Sequence, residues 1–317
     1  MPQKIKYTRK GYKVLAERKR IFITGGTGLL GQYLIRTRKA DLDVLSCYIG
    51  NYDMKSGEGC RYVKEDIRDL AGMKSIGDEF RPDVVIHTAG IANVDYCEHH
   101  YEEAYSSNVL GTEVIIELCK NVRAVLIYIS TNAVFDGETA PYDEQGAVNP
   151  LSCYGKLKVA CEGLVTNSGL RAAVVRPILM YGWHHGGERS NQVTWLLDKL
   201  GRREEVTMVE DVYENPLFAE SCALSIWKII DQDCTGLFHI AGRDIVNRYE
   251  LALAVADVFQ LDRRLIRPVK SDYFPSLAPR PKNTSFITKK MENDLGIRPL
   301  GLTEGLRLMK NQLVFKK

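Results

Sequence analysis

Between residues 21 and 31 the chain reads Ile21-Phe-Ile-Thr-Gly-Gly-Thr-Gly-Leu-Leu-Gly31: an apolar run, a glycine-rich turn and the start of a helical pattern. Gly25, Gly28 and Gly31 recur at every third position. Gly25 suits a tight turn, Gly28 lets the backbone approach a pyrophosphate, and Gly31 lets the helix pack closely. Phosphate oxygens would then meet the helix N-terminus, whose free N–H groups and dipole favour negative charge. A lone glycine triplet says little; one between a strand and a helix points to a dinucleotide cofactor. Gly25, Thr27, Gly28, Leu29 and Leu30 are its expected contacts.

The rest of the first half keeps that rhythm. Strand-like runs fall at residues 21–24, 44–47, 61–63, 84–87, 124–129 and 172–175, and helical periodicity at 29–36, 102–120 and 154–167. Short apolar strands alternating with helices predict an α/β fold with a doubly wound, Rossmann-like parallel sheet. After Pro177 the pattern loosens, with helices expected near 191–200, 216–231 and 249–259 and a strand at 237–240. The expected organisation is a basic extension over 1–20, a dinucleotide-binding domain over 21–178, and a smaller substrate-binding lobe over 179–317 interleaved with the first. Ligands of such folds bind at the carboxyl ends of the strands.

Several function classes are disfavoured. The net charge of +3 is too mild to argue for nucleic acid. Lys4, Lys6, Arg9, Lys10, Lys13, Arg18, Lys19 and Arg20 read as a solvated arm. Trp183, Trp195 and Trp227 have no interleaved basic patch and read as packing or pocket-wall residues. Glu98, Glu102 and Glu103 read as a solvated helix face, and the apolar residues over 109–118 as a buried stripe. No apolar run approaches the roughly 20 residues that span a bilayer, and the N-terminus lacks a signal-peptide core. The eight cysteines form no C-x-x-C pair and fit reduced thiols of a cytoplasmic protein. The adjacent pairs His99–His100 and His184–His185 are poorly spaced for one ion, so no metal site is expected.

Tyr154 and Lys158 stand at i and i+4, on one face of a helix. A tyrosine needs help to act as acid or base near neutrality, and a nearby ammonium favours the phenolate. The pair follows the strand at 124–129, whose polar end is Ser130-Thr131-Asn132. Thr131 is the candidate to hydrogen-bond a substrate oxygen, with Ser130 in reserve; strand-end capping is the plain alternative. Asp66 is placed either to bond an adenine edge beside Ile67 or to cap a helix. About 20 residues past the glycine turn, where an acid would read the ribose, neither a carboxylate nor an arginine occurs. Asp53 and Lys55 come late, so NADP or NAD stays open.

These residues carry a resemblance. Thr24-Gly-Gly-Thr-Gly-Leu-Leu-Gly31, the Tyr-x-x-x-Lys pair and Arg176-Pro-Ile-Leu-Met-Tyr-Gly182 resemble the extended short-chain dehydrogenase/reductases. Within them, His87-Thr-Ala-Gly-Ile-Ala-Asn-Val-Asp95, Ser130-Thr-Asn-Ala-Val-Phe-Asp-Gly137 and Arg280-Pro-Lys-Asn283 resemble the dTDP-4-dehydrorhamnose reductase family. The tail half is also similar to the regulatory beta subunit of methionine adenosyltransferase, a relative of those reductases. The resemblance implies that Thr131 and Tyr154 bond a substrate keto oxygen, with Tyr154 as proton donor. It implies that Lys158 bonds the nicotinamide ribose and tunes Tyr154. Ala89, Gly90 and Ile91 would line the cofactor path, Asn108 would support the lysine through water, and Pro177 and Ile178 would flank the nicotinamide. Asn93, Asn132, Ala133, Arg280 and Asn283 would face a nucleotide-sugar substrate, and a homodimer follows by analogy.

The family's usual aspartate and tyrosine after the serine–threonine pair are replaced by Asn132 and Ala133. The leading expectation is an NAD(P)H-dependent reduction of a 4-keto-6-deoxy sugar on a nucleoside diphosphate. An epimerase or dehydratase with tightly bound NAD(P), and a non-catalytic regulatory subunit, are the alternatives.

Overall fold

The computed structural model describes residues 18–52, 60–184, 190–274 and 278–312. Most of the basic arm, Asp53, Lys55 and His185 lie outside them. Arg20, read as the end of that arm, instead opens the first strand, where its N–H donates to Asp83 at 2.7 Å.

Strands β1 (Arg20–Thr24), β2 (Asp43–Tyr48), β3 (Cys60–Lys64), β4 (Val84–His87), β5 (Val125–Ile129) and β6 (Ala172–Pro177) pair in parallel. After the short strands β7 (Met180–Tyr181), β8 (Val206–Val209), β9 (Tyr213–Glu214) and β10 (Leu217–Phe218), strand β11 (Gly236–Ile240) returns beside β6. The sheet order is β11-β6-β5-β4-β1-β2-β3. The order reverses between β1 and β4, which opens a crevice beyond their carboxyl ends.

Both faces of the sheet are covered, so its strands are apolar runs rather than alternating ones. Ile21 and Ile23 point into one buried cluster and Phe22 into another. Helix α1 (Leu29–Thr37) lies on the first face, and α2 (Leu70–Phe80) on the second. Asp69 caps α2 by accepting from the N–H groups of Ala71 and Gly72. The capping role weighed for Asp66 therefore belongs to Asp69, because Asp66 precedes the helix by a further turn.

The helical pattern over 102–120 is more broken than its periodicity predicts. Short helices α3 (Val94–His99) and α4 (Tyr101–Tyr105) run into a π-helical turn at Ser106–Leu110 and then α5 (Gly111–Val122). The Gly111 N–H reaches back five residues to the Ser106 carbonyl. Such a turn absorbs one extra residue and re-aims its side chains; here Asn108 is buried within it. Helix α6 (Cys153–Thr166) follows, capped by Ser152.

The remaining elements are α7 (Gln192–Gly201), α8 (Ala219–Asp231), β12 (Val246–Asn247), α9 (Arg248–Phe259), β13 (Ile266–Val269), α10 (Lys289–Leu295) and α11 (Leu302–Asn311). Three two-stranded pairs, β10–β7, β12–β9 and β13–β8, brace this lobe. Helix α8 packs on α1, so residues beyond 178 build part of the large sheet layer as well. Trp227 is buried and Trp183 partly buried, and they donate their indole N–H to the Thr37 hydroxyl and the Met309 carbonyl respectively. The eight cysteines are free thiols, six of them buried. No described helix is long and apolar enough to cross a membrane.

Candidate active site

A cleft of about 900 Å3 runs along the carboxyl ends of the strands. Its first wall is the glycine turn. Gly25 has φ +74°, and a Cβ there would lie 2.8 Å from the Thr88 hydroxyl and 2.9 Å from the Ala89 nitrogen. A Cβ on Gly31 would come within 2.4 Å of the Gly25 carbonyl oxygen, so the helix can follow the turn only as glycine. At Gly28 a Cβ would meet only the Gly25 oxygen, at 3.3 Å, which leaves that side open for a ligand to approach. Gly28 caps α1 with no side chain, and Thr27, Gly28, Leu29 and Leu30 line the cleft. First-turn N–H groups lack intrahelical partners, so the cradle fits a pyrophosphate.

The second wall follows β4. His87 is buried between Thr24, 2.8 Å from its Nδ1, and Thr112, 3.1 Å from its Nε2. Thr112 donates to the Asn108 carbonyl at 2.5 Å, so it accepts from Nε2–H. Thr24 accepts from the Ala89 N–H and so donates to Nδ1. Burial, then the Lys158 charge, depress the imidazole to about 3, which keeps it neutral in this relay. The relay fixes Ala89 beside the glycine turn. Asn108 fixes Ile91 by two bonds: its Oδ1 accepts from the Ile91 N–H at 2.7 Å and its Nδ2 donates to the Ile91 carbonyl at 3.0 Å. The side chain of Asn108, expected to support Lys158 through water, is engaged with Ile91. Ala89, Gly90 and Ile91 line the cleft.

At the adenine end, Asp66 and Ile67 line the cleft together with Tyr48 and Arg68. Arg68 holds the Asp66 carboxylate at 2.6 Å and pulls its pKa below the ordinary value. Arg68 follows β3, outside the loop after β2 where a ribose-reading residue is expected, so no motif marks it.

At the other end, Thr131, Tyr154, Lys158, Pro177 and Ile178 share the same cleft. The Lys158 Nζ is buried, donating to the Ile129 carbonyl at 2.8 Å and the Tyr128 hydroxyl at 3.2 Å. Burial lowers its pKa, with Cys161 and Glu162 opposing. Gly155 lets the first turn of α6 press on the strand end: a Cβ there would lie 2.2 Å from the Ala133 oxygen. Thr131 caps the short turn Asn132–Val134 by accepting from the Ala133 N–H at 3.2 Å. Capping and a place in the cleft, weighed as alternatives, therefore coexist at Thr131.

Ser130 also lines the cleft, but its hydroxyl is taken: it donates to Glu162 at 2.5 Å. Glu162 is in turn gripped by Arg176 through bonds of 2.8 and 2.6 Å. Arg176 donates to His239 at 3.3 Å, and burial with the Arg176 charge holds that imidazole near 3, neutral.

Asn132, Ala133 and Arg280, three of the expected substrate contacts, border the cleft. Arg280 is half-exposed and paired with Asp95 at 2.7 Å. Asn93 and Asn283 have local roles. Asn93 caps α3 by accepting from the Tyr96 N–H, and Asn283 accepts from both the N–H and hydroxyl of Ser285. Their neighbours Ala92, Val94 and Thr284 line the cleft. Glu103, read as part of a solvated face, accepts from the Tyr96 hydroxyl at 2.6 Å and borders the cleft too. Sequence reasoning missed Glu214, Arg248 and Gln192, which close the far wall. No motif marks them.

Comparison with known proteins agrees with this fold. The family described as RmlD substrate binding domain matches residues 19–315. Methionine adenosyltransferase 2 subunit beta of Xenopus laevis is 33% identical over 281 residues, which cover 86% of this chain and 82% of that protein. The spore coat polysaccharide biosynthesis protein SpsK of Bacillus subtilis is 27% identical, covering 91% and 95%. Among solved structures, the dTDP-4-dehydrorhamnose reductase of Bacillus anthracis in complex with NADP superposes with a TM-score of 0.83 at 25% identity, over 93% of this chain and 99% of that one.

Proposed function

Because the chain belongs to the RmlD substrate binding domain family, we propose that it is an NAD(P)H-dependent reductase of the 4-keto group of a nucleotide-linked 4-keto-6-deoxy sugar. One observation carries the reading: the glycine cradle and the Thr131, Tyr154 and Lys158 side chains open into a single cleft. When bound, the reduced nicotinamide supplies a hydride; the protein supplies orientation and electrostatics.

Gly25, Thr27, Gly28, Leu29 and Leu30 would hold the pyrophosphate, and Asp66, Ile67 and Arg68 the adenosine end. Pro177 and Ile178 would flank the nicotinamide, with Lys158 on its ribose. Tyr154 gives its phenolic proton to the oxygen that becomes an alkoxide as the carbonyl is reduced. Thr131 donates a hydrogen bond to the same oxygen, and the Lys158 ammonium favours the phenolate left on Tyr154. Arg280 exchanges Asp95 for the substrate's pyrophosphate, which suits a planar, permanently charged fork. The coenzyme is NADP or NAD. A cytoplasmic homodimer belongs to the same proposal, and half-exposed Tyr101, Tyr105 and Leu110 are apolar surface that assembly would cover.

The test is a titration with NADH and NADPH, followed by addition of a 4-keto-6-deoxy nucleotide sugar. Steady loss of absorbance near 340 nm that requires the sugar is expected. Identity of 33% to a protein named as a subunit favours one rival, a cofactor-binding regulatory role. Tight cofactor binding without any loss would support that rival.

A further inference from the structure

An ammonium carries three hydrogens and no acceptor, so a buried one needs oxygen or nitrogen partners on every side. Two of the three on Lys158 go to neighbouring residues of one strand, the Ile129 carbonyl at 2.8 Å and the Tyr128 hydroxyl at 3.2 Å. Successive strand residues face opposite ways. The Ile129 side chain accordingly lies in one core cluster and the Tyr128 ring in the other, with Leu157 and Cys161. Lys158 and Tyr154 line the cleft, whereas Tyr128 is only 1% exposed.

A phenol has one hydrogen, and toward Lys158 the Tyr128 oxygen acts as acceptor. Its hydroxyl also hydrogen-bonds the Cys161 side chain. The Cys161 thiol in turn donates to the Asn108 carbonyl at 3.2 Å, so Tyr128 is the donor to Cys161. Burial holds the Tyr128 pKa well above the ordinary tyrosine value, which keeps the group a neutral hydroxyl. Every hydrogen along this line therefore points away from Lys158 and leaves a Tyr128 lone pair facing the ammonium.

Once two N–H directions of a tetrahedral ammonium are fixed, so is the third. With two drawn back onto β5, the third is left for the cleft. We propose that Tyr128 is a positioning residue: with the Ile129 carbonyl it sets the rotation of the Lys158 ammonium, so that the remaining N–H faces the nicotinamide ribose beside Tyr154. The proposal rests on the reductase reading for the cofactor but not for the contact between Tyr128 and Lys158.

Tyr128→Phe removes the acceptor and keeps the ring, whose centroid lies 4.8 Å from the Lys158 Nζ. The ammonium is then tied to Ile129 alone and can turn about its last bond. Affinity for reduced nicotinamide cofactor should fall about fivefold, in the range of one hydrogen bond, and kcat about tenfold, since errors of orientation are amplified in rate. ADP, which lacks the nicotinamide ribose, should bind as it does to the parent, whereas a general loosening of the cleft would weaken both ligands. With Lys158→Met in place, adding Tyr128→Phe should change cofactor affinity no further. Parental cofactor affinity or parental kcat in Tyr128→Phe, or an equal loss for ADP, would overturn the proposal. Thermal unfolding of the parent, the two single variants and the double variant needs no ligand. Non-additive Tm shifts are expected of side chains in contact, and additive ones would overturn the pairing. If the parent binds cofactor but turns over no sugar, the reductase reading falls while the comparison of cofactor with ADP still decides the role of Tyr128. If the parent binds no nicotinamide cofactor, both fall.

Discussion

Tyr154→Phe is expected to lower kcat by about 10²- to 10⁴-fold, the usual worth of a positioned general acid, while cofactor still binds. The substitution removes one oxygen from a mostly buried ring and leaves its packing beside Leu157 and Cys161 in place. The expected pyrophosphate cradle is built from other residues, Gly25 and Thr27 through Leu30, so cofactor affinity should hardly change. Turnover and fluorescence titration of the same preparation separate the two effects. Near-parental turnover would remove Tyr154 from the chemistry.

The second large effect is expected in stability. Arg176 and Glu162 form an ion pair whose side chains are 5% and 12% exposed. Arg176→Met leaves the Glu162 carboxylate buried with the Ser130 hydroxyl as its remaining described partner. Breaking a buried pair by removing one member typically costs about 3–5 kcal/mol, whereas replacing both with apolar groups of similar size is often close to neutral. Urea unfolding should therefore show Arg176→Met strongly destabilised and Arg176→Met/Glu162→Leu substantially recovered. A single-variant loss below about 1 kcal/mol, or a double variant no better than the single, would contradict this. The pair matters to the site because Glu162 follows Lys158 by one helical turn and Ser130 precedes Thr131. The network thus ties α6 to the strand end at the point where Thr131 and Tyr154 meet the cleft.

Much of this was legible in the sequence where a local pattern carries the physics. The glycine triplet works through backbone geometry at its own positions, so its spacing alone announced the turn. Strands buried on both faces show as short apolar runs, and Tyr154 and Lys158 share a face by helical period. Side chains whose partners lie far along the chain were not legible. Nothing near Ser130 tells that Glu162 will take its hydroxyl, and nothing near Asn132 tells that Glu214 will face it, 82 residues on. Asn93, Asn108 and Asn283 are expected as contacts or supports for ligands only through the family resemblance. In the structure Asn93 and Asn108 bond backbone groups and Asn283 bonds Ser285, contacts that an asparagine makes readily at caps and turns and that no motif marks. The π-helical turn escaped for a related reason: one inserted residue scarcely alters an apolar stripe, yet it determines where Asn108 points.

The most direct test of the account is isotopic. The protein would be given reduced nicotinamide cofactor carrying deuterium at the transferable C4 position, together with a 4-keto-6-deoxy nucleotide sugar, and the product analysed by mass spectrometry and NMR. One deuterium per product is expected, located at C4 of the sugar, with equivalent oxidation of the cofactor. A product without deuterium at C4, or no product beside fully retained cofactor label, would contradict hydride transfer in this cleft.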